Sequence, residues 1–125
     1  MSEPADIALV ARRFFDAIED GDIATVASIY AADAVIWNNL NGPATREANL
    51  EVLKAFVARA PVRQYKERRL NVFEGGFVQL HVLDGVLKDG RKATLPACVV
   101  CAVSNGQITR LDEYFDSAQV NEWLR

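Results

Sequence analysis

Three glycine-containing pairs divide the second half of the chain, and they constrain the fold more than any other feature. The pairs are Gly75-Gly76, Asp89-Gly90 and Asn105-Gly106. Pairs of this kind between alternating hydrophobic residues are the strongest short-range signal for a β-hairpin. They predict four antiparallel strands at about 63–74, 77–88, 91–104 and 107–116.

The first half of the chain is patterned for helices. Ile7, Val10, Phe14 and Ile18 recur at helical spacing, and Gly21 is a natural helix end. Ser2 is the expected N-cap. Further segments follow: helices at 23–31 and 45–60, a short strand at 33–40 and a closing helix at 117–125. The sequence predicts one α+β domain, residues 1–125, with the helices packed on one face of a curved, mainly antiparallel sheet.

Composition narrows the function classes. Half of the 125 residues are hydrophobic and the net charge is −3, which argues against a disordered chain or a nucleic-acid partner. No apolar run approaches the roughly 20 residues of a membrane-spanning helix, and residues 1–13 lack a signal-peptide pattern. We expect no membrane partner and a cytoplasmic location.

Cys98 and Cys101 are spaced like a redox or metal-binding pair, but they lie in a predicted strand. Residues three apart in a strand point to opposite faces, too far apart for a disulfide. We interpret both as buried thiols. With a single histidine, His81, and no second such pair, the sequence predicts no metal site. Residues 95–103 are apolar on both faces, which predicts a homodimer through the outer face of the sheet.

An acid interrupts the apolar face of the last strand. Read with period two, Glu113 lies between Leu111 and Phe115. If each glycine-containing pair forms a two-residue loop, one row across the sheet reads Leu70, His81, Cys98, Glu113. The neighbouring rows bring Gln79 and Arg68 to the same face. A small organic molecule or a water would fit between the acid and the imidazole.

Each of these side chains also has a structural interpretation. His81 could be an ordinary buried histidine, and Glu113 a charge at a solvated strand edge. Gln79 could serve as a hydrogen-bonding support, Arg68 could belong to a solvated strand, and Trp37 could be a packing residue.

Two segments, 11–38 and 106–116, resemble the nuclear transport factor 2-like, SnoaL-like superfamily. The resemblance implies a cone-shaped barrel of helices closed by a curved sheet around a pocket. Ketosteroid isomerases of this superfamily carry three catalytic side chains at positions that are Phe14, Asn38 and Val99 here, so their chemistry is not expected. Limonene-type epoxide hydrolases are more similar: their catalytic acid corresponds to Glu113 and their water-holding Asn to Asn38.

The same resemblance marks departures from those hydrolases. Their water-contacting Tyr corresponds to Ile36, and their Arg-x-Asp pair to Gln79 and His81. We therefore expect a cofactor-free hydrolase or an isomerase or cyclase, with Glu113 as base, Asn38 holding a water and His81 as its catalytic partner. The expected substrate is small and mostly apolar, and its predicted lining is Gln79, Leu111, Phe115, Cys98, Arg68, Phe14 and Trp37. A non-catalytic ligand-binding module and a protein-interaction module are the alternatives.

Overall fold

The computed structural model describes residues 3–124, so the expected N-cap Ser2 lies outside them. Within this range the elements follow in a fixed order along the chain. They are α1 (Pro4–Asp20), α2 (Ile23–Ile29), β1 (Tyr30–Asn38), β2 (Gly42–Thr45), α3 (Arg46–Arg59), β3 (Val62–Phe73), β4 (Gly76–Val86), β5 (Lys92–Ser104), β6 (Gln107–Phe115) and α4 (Ser117–Leu124).

Local signals in the sequence set the ends of the first three helices. α1 ends at Gly21, which has a φ of 72°, a left-handed conformation that glycine adopts without strain. The Asp22 carboxylate accepts from the backbone N–H of Thr25 at 3.1 Å and so caps α2. The Thr45 hydroxyl accepts from the N–H of Ala48 at 3.1 Å and caps α3 in the same way.

The six strands of the described chain form one sheet in the order β2-β1-β6-β5-β4-β3. All neighbours are antiparallel except β1 and β6, which run parallel. One face of the sheet packs against the helices around a core that includes Phe14, Phe15 and Phe77. The predicted α+β architecture, helices on one face of a curved, mainly antiparallel sheet, is confirmed. Strand β2 was not predicted, because Gly42 and Pro43 suggested a break.

The pairing of the strands differs from the two-residue loops that the sequence suggested. The last hairpin begins as predicted, with Ser104 opposite Gln107, but a bulge at Thr109 shifts the rest by one residue. The second hairpin encloses residues 88–90, because Leu87 donates to the carbonyl of Arg91 at 2.8 Å. In the first, Phe73 faces Gly76, so the loop is Glu74-Gly75.

These offsets make the predicted row wrong, although His81 and Glu113 still share a face. His81 lies opposite Ala97, and Glu113 lies opposite Val99. Each pairing differs by one residue from the predicted partner Cys98, so each shift reverses the expected face. The two reversals cancel between β4 and β6, and Glu113 and His81 both point toward the helices. Cys98 points to the opposite, outer face.

A second bulge lies in β3, beside His81. Lys66 pairs with Val82 and Arg69 with Leu80, so Glu67 and Arg68 together face the single residue His81. Glu67 has a φ of 54°, an uncommon value for a residue with a side chain. Bulges and strained residues of this kind often re-aim side chains near functional sites.

Candidate functional site in the cone

We call the face of the sheet that packs against the helices the inner face, and this face together with its helices the cone. Glu113 is the acidic side chain at the centre of the inner face. Strand β6 places it between β1, where it pairs with Asn38, and β5, where it pairs with Val99. The side chain is half-buried, and within residues 3–124 no hydrogen bond or ion pair reaches its carboxylate. Burial raises the pKa of Glu113 to about 7. Near neutral pH this carboxylate can both accept and release a proton.

Two tyrosines and a thiol surround this acid. Burial raises the pKa of Tyr30, Tyr65 and Cys101, and the nearby charge of Glu113 raises each of them further. The Tyr30 hydroxyl donates to the side-chain oxygen of Asn49 on α3 at 2.8 Å. The inward cysteine is therefore Cys101, where the sequence predicted Cys98.

Gln79 and His81 form a buried pair on β4. The side-chain nitrogen of Gln79 lies 2.9 Å from Nδ1 of His81, so Nδ1 accepts and the ring proton is on Nε2. Nε2 is buried and has no partner among the described residues. Burial, and then the charge of Arg68, lowers the pKa of His81 to about 4. The imidazole is consequently neutral at physiological pH.

Tyr65 on β3 is a site residue that the sequence reasoning missed. Its ring centroid lies 4.7 Å from that of His81 and 5.1 Å from that of Phe15. The Tyr65 hydroxyl has no hydrogen-bond partner within residues 3–124. The inward alternation of Arg63 and Tyr65 on β3 could have marked it, but the basic residues around it suggested a solvated strand.

Arg68 is held against α1. Its guanidinium contacts Asp16 Oδ1 at 2.8 Å and Glu19 Oε2 at 3.1 Å, and its Nε donates to the carbonyl of Tyr65 at 3.2 Å. These partners compensate its charge. The structure thus places Arg68 behind the Tyr65 ring, 5.9 Å from its centroid, rather than opposite Glu113 as a free cation.

Asn38 lies beside Glu113 but has structural contacts of its own. Its side-chain oxygen accepts from the backbone N–H groups of Leu40 at 3.0 Å and Asn41 at 2.8 Å, which closes the turn into β2. Its side-chain nitrogen has no partner in the part of the chain described. Asn38 could therefore hold a water through its N–H groups, while its oxygen is occupied.

The remaining predicted lining residues divide between the two faces. Leu111 and Phe14 are buried on the inner side, and Phe115 is half-buried near Trp123. Trp37 and Cys98, which were also predicted to line the pocket, lie on the outer face and not beside Glu113. Trp37 packs against Tyr114 on the outer face, with ring centroids 5.1 Å apart, because β1 places it between the inward residues Ile36 and Asn38.

Helix α3 covers the cone loosely. None of its residues is fully buried, although Leu50, Leu53 and Phe56 pack against the core. On the facing sheet, Tyr65, Leu70 and Glu113 are also only half-buried. Three hollows of about 480, 410 and 330 Å³ are found among the described residues, and Glu113 lines none of them. His81, Arg68 and Cys98 line the one of about 480 Å³, together with Tyr114 of the outer face.

Two further findings concern the described residues. No group of three or more His, Cys, Asp or Glu side chains in residues 3–124 is arranged to hold a metal ion. Among the helices in this range, none combines the length and the apolar character needed to span a membrane.

The fold places the chain in the class of α+β proteins in which helices pack on one face of a curved, mainly antiparallel sheet. The model of the SnoaL-like domain matches residues 11–111, and the chain belongs to this family. No curated protein matches the sequence.

Solved structures support the same fold. An LEH-like epoxide hydrolase from M. tuberculosis is 18% identical, with 98% of this chain and 92% of that chain covered and a TM-score of 0.83. A candidate polyketide cyclase from Xanthomonas campestris pv. campestris is 19% identical, with 98% and 96% covered and a TM-score of 0.85. A candidate isomerase from Bacillus subtilis is 14% identical, with 99% and 96% covered and a TM-score of 0.87.

Proposed function

We propose that the chain binds a small, mostly apolar organic molecule inside the cone and transfers a proton with Glu113 as the general base. The observation that carries the proposal is the Glu113 carboxylate, which is unpaired on an apolar face. A base is most effective when its pKa lies near the working pH, and the pKa of about 7 meets that requirement. The acid and the base are both side chains, so the proposed chemistry needs no cofactor.

Two reactions fit this arrangement. In a cyclase or isomerase, Glu113 takes a proton from carbon, the electron pair moves to a conjugated oxygen, and Glu113 returns the proton to another carbon. In hydrolysis of an epoxide, Glu113 takes a proton from a water beside Asn38. The hydroxide then attacks carbon, the C–O bond opens, and the released oxygen takes up the proton held by Glu113, directly or through a water, which regenerates the carboxylate. The names of the structural relatives support both classes.

His81 is the complementary partner in either reaction. Gln79 holds its tautomer, so the neutral Nε2–H can donate a hydrogen bond to a substrate oxygen. A neutral imidazole is a weaker acid than an imidazolium, and it polarises an oxygen without giving up its proton. Gln79 is therefore a positioning residue that acts through His81.

The test compares Glu113→Gln with Asp112→Asn, its neighbour on the outer face of the same strand. Purified variants are incubated with a panel of epoxides and conjugated enones, chosen by thermal shift, and consumption is followed by chromatography. We expect Glu113→Gln to abolish turnover while keeping the fold, and Asp112→Asn to retain it. A substrate turned over equally by Glu113→Gln and the parent protein would reject the base assignment.

A non-catalytic ligand-binding module is the second candidate. It is favoured by the internal contacts of Arg68 and of the Asn38 oxygen, which leave fewer polar groups free for chemistry. In that case Glu113→Gln would change the affinity for a ligand, and no compound in the panel would be consumed.

We further propose that the chain forms a homodimer through the outer face of the sheet and works in the cytoplasm. Apolar side chains cover that face, and Tyr114 is 52% exposed there. The other members of this outer patch are Trp37, Val78, Leu80, Val82, Cys98 and Val100. Both cysteines are unpaired, which fits a reducing compartment.

A further inference from the structure

Two hydrogen-bond donors inside the cone lack an acceptor in the described chain. One is Nε2 of His81, whose side chain is 4% exposed. The other is the hydroxyl of Tyr65, whose ring contacts that of His81. Nε2 of His81 is buried, and a buried donor without a partner costs free energy. The Tyr65 hydroxyl beside it is unpaired and only half-buried, so it is open to a ligand, and the two donors together point to a ligand that supplies the acceptor.

Both donors are neutral. Burial and the charges of Glu113 and Glu19 raise the pKa of Tyr65, so its hydroxyl keeps its proton at physiological pH. The pKa of His81 is lowered to about 4, so its ring carries no charge. Neither group could compensate a full negative charge on a ligand.

The cations near the cone have partners. Arg68 is bound by Asp16 and Glu19. Arg63 donates to the backbone carbonyls of Ile18, Glu19, Val57 and Ala60. A ligand that entered with a carboxylate or phosphate would therefore meet Glu113 with no free cation to balance it.

We propose that Tyr65 is a further substrate-binding residue, and that its hydroxyl and His81 Nε2–H together bind one oxygen of a neutral ligand, such as a ketone, enone or epoxide. The inference rests on the proposed function, because it concerns the same cone and names the class of molecule it accepts. It also assigns a direction: the oxygen lies toward β3 and β4, and the hydrocarbon lies toward Glu113 on β6.

The experiment is a binding measurement that does not require turnover. 4-tert-Butylcyclohexanone and 4-tert-butylcyclohexanecarboxylate are titrated into the 125-residue protein, and chemical shifts of the backbone amides give the dissociation constants. We expect the ketone to bind with shifts at Tyr65 and His81, and the carboxylate to bind at least tenfold more weakly. Tyr65→Phe should weaken ketone binding about three- to tenfold, the range for one neutral hydrogen bond.

Tyr114→Phe is the matched control, since it removes the same hydroxyl from the outer face; it should leave ketone affinity unchanged. Glu113→Gln should strengthen carboxylate binding, because it removes the opposing charge. Equal ketone affinity for Tyr65→Phe and the parent protein, no ketone binding at all, or a carboxylate that binds as tightly as the ketone would overturn the inference.

The result separates this inference from the proposed function. Loss of ketone affinity in Tyr65→Phe together with full turnover by Glu113→Gln would keep the donor pair and reject the base. Loss of turnover in Glu113→Gln with unchanged ketone affinity in Tyr65→Phe would do the reverse. Thermal unfolding checks that Tyr65→Phe folds, and we expect no loss of stability because the hydroxyl has no partner within residues 3–124.

Discussion

At the scale of single residues, one physical cause moves two pKa values in opposite directions. Burial disfavours the charged form of each group, so it raises the pKa of Glu113 to about 7 and lowers that of His81 to about 4. Both groups are therefore mostly uncharged at pH 6. Of the two, only Glu113 changes its charge near neutral pH, so its titration should make the stability of the protein depend on pH.

This coupling predicts a pH dependence of stability. The pKa of Glu113 is higher in the folded protein than its usual 4.5, so the folded state binds the proton more tightly. The contribution of Glu113 to the free energy of unfolding is present in full below about pH 4.5 and is lost as the pH rises through 7. Glu113→Gln removes this dependence, and its stability relative to the parent protein should rise by about 3 kcal/mol between pH 4.5 and 8.

Urea unfolding at several pH values measures this difference, and Glu74→Gln, an exposed change in the first hairpin loop, serves as the control. The opposite slope expected from His81 is common to both proteins and cancels in the comparison. Parallel curves for Glu113→Gln and the parent protein would mean that the carboxylate titrates like a solvated one.

The alternation of single residues was the most reliable guide to the site. Leu111, Glu113 and Phe115 share a face as the sequence indicates, because neighbours two apart in a strand need no knowledge of the partner strand. Cys98 was misplaced because its face depends on a loop of three residues and a bulge at Thr109, which pair patterns do not reveal. Tyr65 was missed because its role depends on packing against His81 and α1.

At the scale of elements, Arg63 joins the ends of two helices. The guanidinium donates to carbonyls in the last turns of α1 and α3, at distances between 2.6 and 3.2 Å. Carbonyls at a helix C-terminus lack intrahelical partners and carry partial negative charge, so a buried cation satisfies both needs. Arg63 thereby fixes both helices to the start of β3, two residues before Tyr65.

Arg63→Met should therefore lower the free energy of unfolding by about 3 kcal/mol or more, because several charge-assisted hydrogen bonds are lost and buried carbonyls remain. Chemical denaturation measures the change. Arg69→Met, at an exposed position on the same strand, is the control and should stay within about 0.5 kcal/mol. A loss of that small size for Arg63→Met would show that water replaces the guanidinium at no cost.

Gly85 makes room for the closing helix. A Cβ at this position would lie 2.7 Å from the Trp123 ring and 2.7 Å from the carbonyl oxygen of Val62. The absence of a side chain therefore lets α4 place Trp123 in the second core cluster with Leu83 and Leu95. The sequence predicted this helix but not the contact on which it rests.

Gly85→Ala should lower stability by about 1–3 kcal/mol, the usual range for overpacking, because the indole must move out of the cluster. Tryptophan fluorescence should show Trp123 becoming more exposed. The double variant Gly85→Ala, Trp123→Leu tests the cause, since a smaller side chain at 123 should recover part of the loss. No recovery would locate the clash at the Val62 backbone instead.

At the scale of the whole molecule, the turn signals predicted the four long strands well and the pairing between strands less well. Four long strands and most helix boundaries follow from local glycine, cap and alternation patterns. The short strand β2 and the parallel pairing of β1 with β6 depend on contacts between distant segments, and no local pattern encodes them. Residue patterns alone predicted helices packed on a sheet. The prediction that they form a cone-shaped barrel came from the family resemblance.

The outer patch predicts the assembly. A second copy would cover the exposed Tyr114 and its apolar neighbours, and we expect a dimer by size-exclusion chromatography with light scattering. Val82→Lys, which places a charge on this face, should shift the population to monomer while circular dichroism stays unchanged. Ala55→Lys is the control, because this exposed position lies on α3, on the opposite side of the sheet, and the change should leave the dimer intact. A monomer at all concentrations would refute the assignment.

The bulge at Glu67 and Arg68 also has a consequence for the edge of the sheet. β3 is one of the two edge strands of the sheet, with β2 at the other end, and an open edge is a template on which further strands can add. Here the kink breaks the row of backbone donors and acceptors, and the charged side chains of Lys66, Glu67 and Arg69 line the edge. Addition of a strand from another molecule along β3 is thereby disfavoured, which removes one route to uncontrolled aggregation.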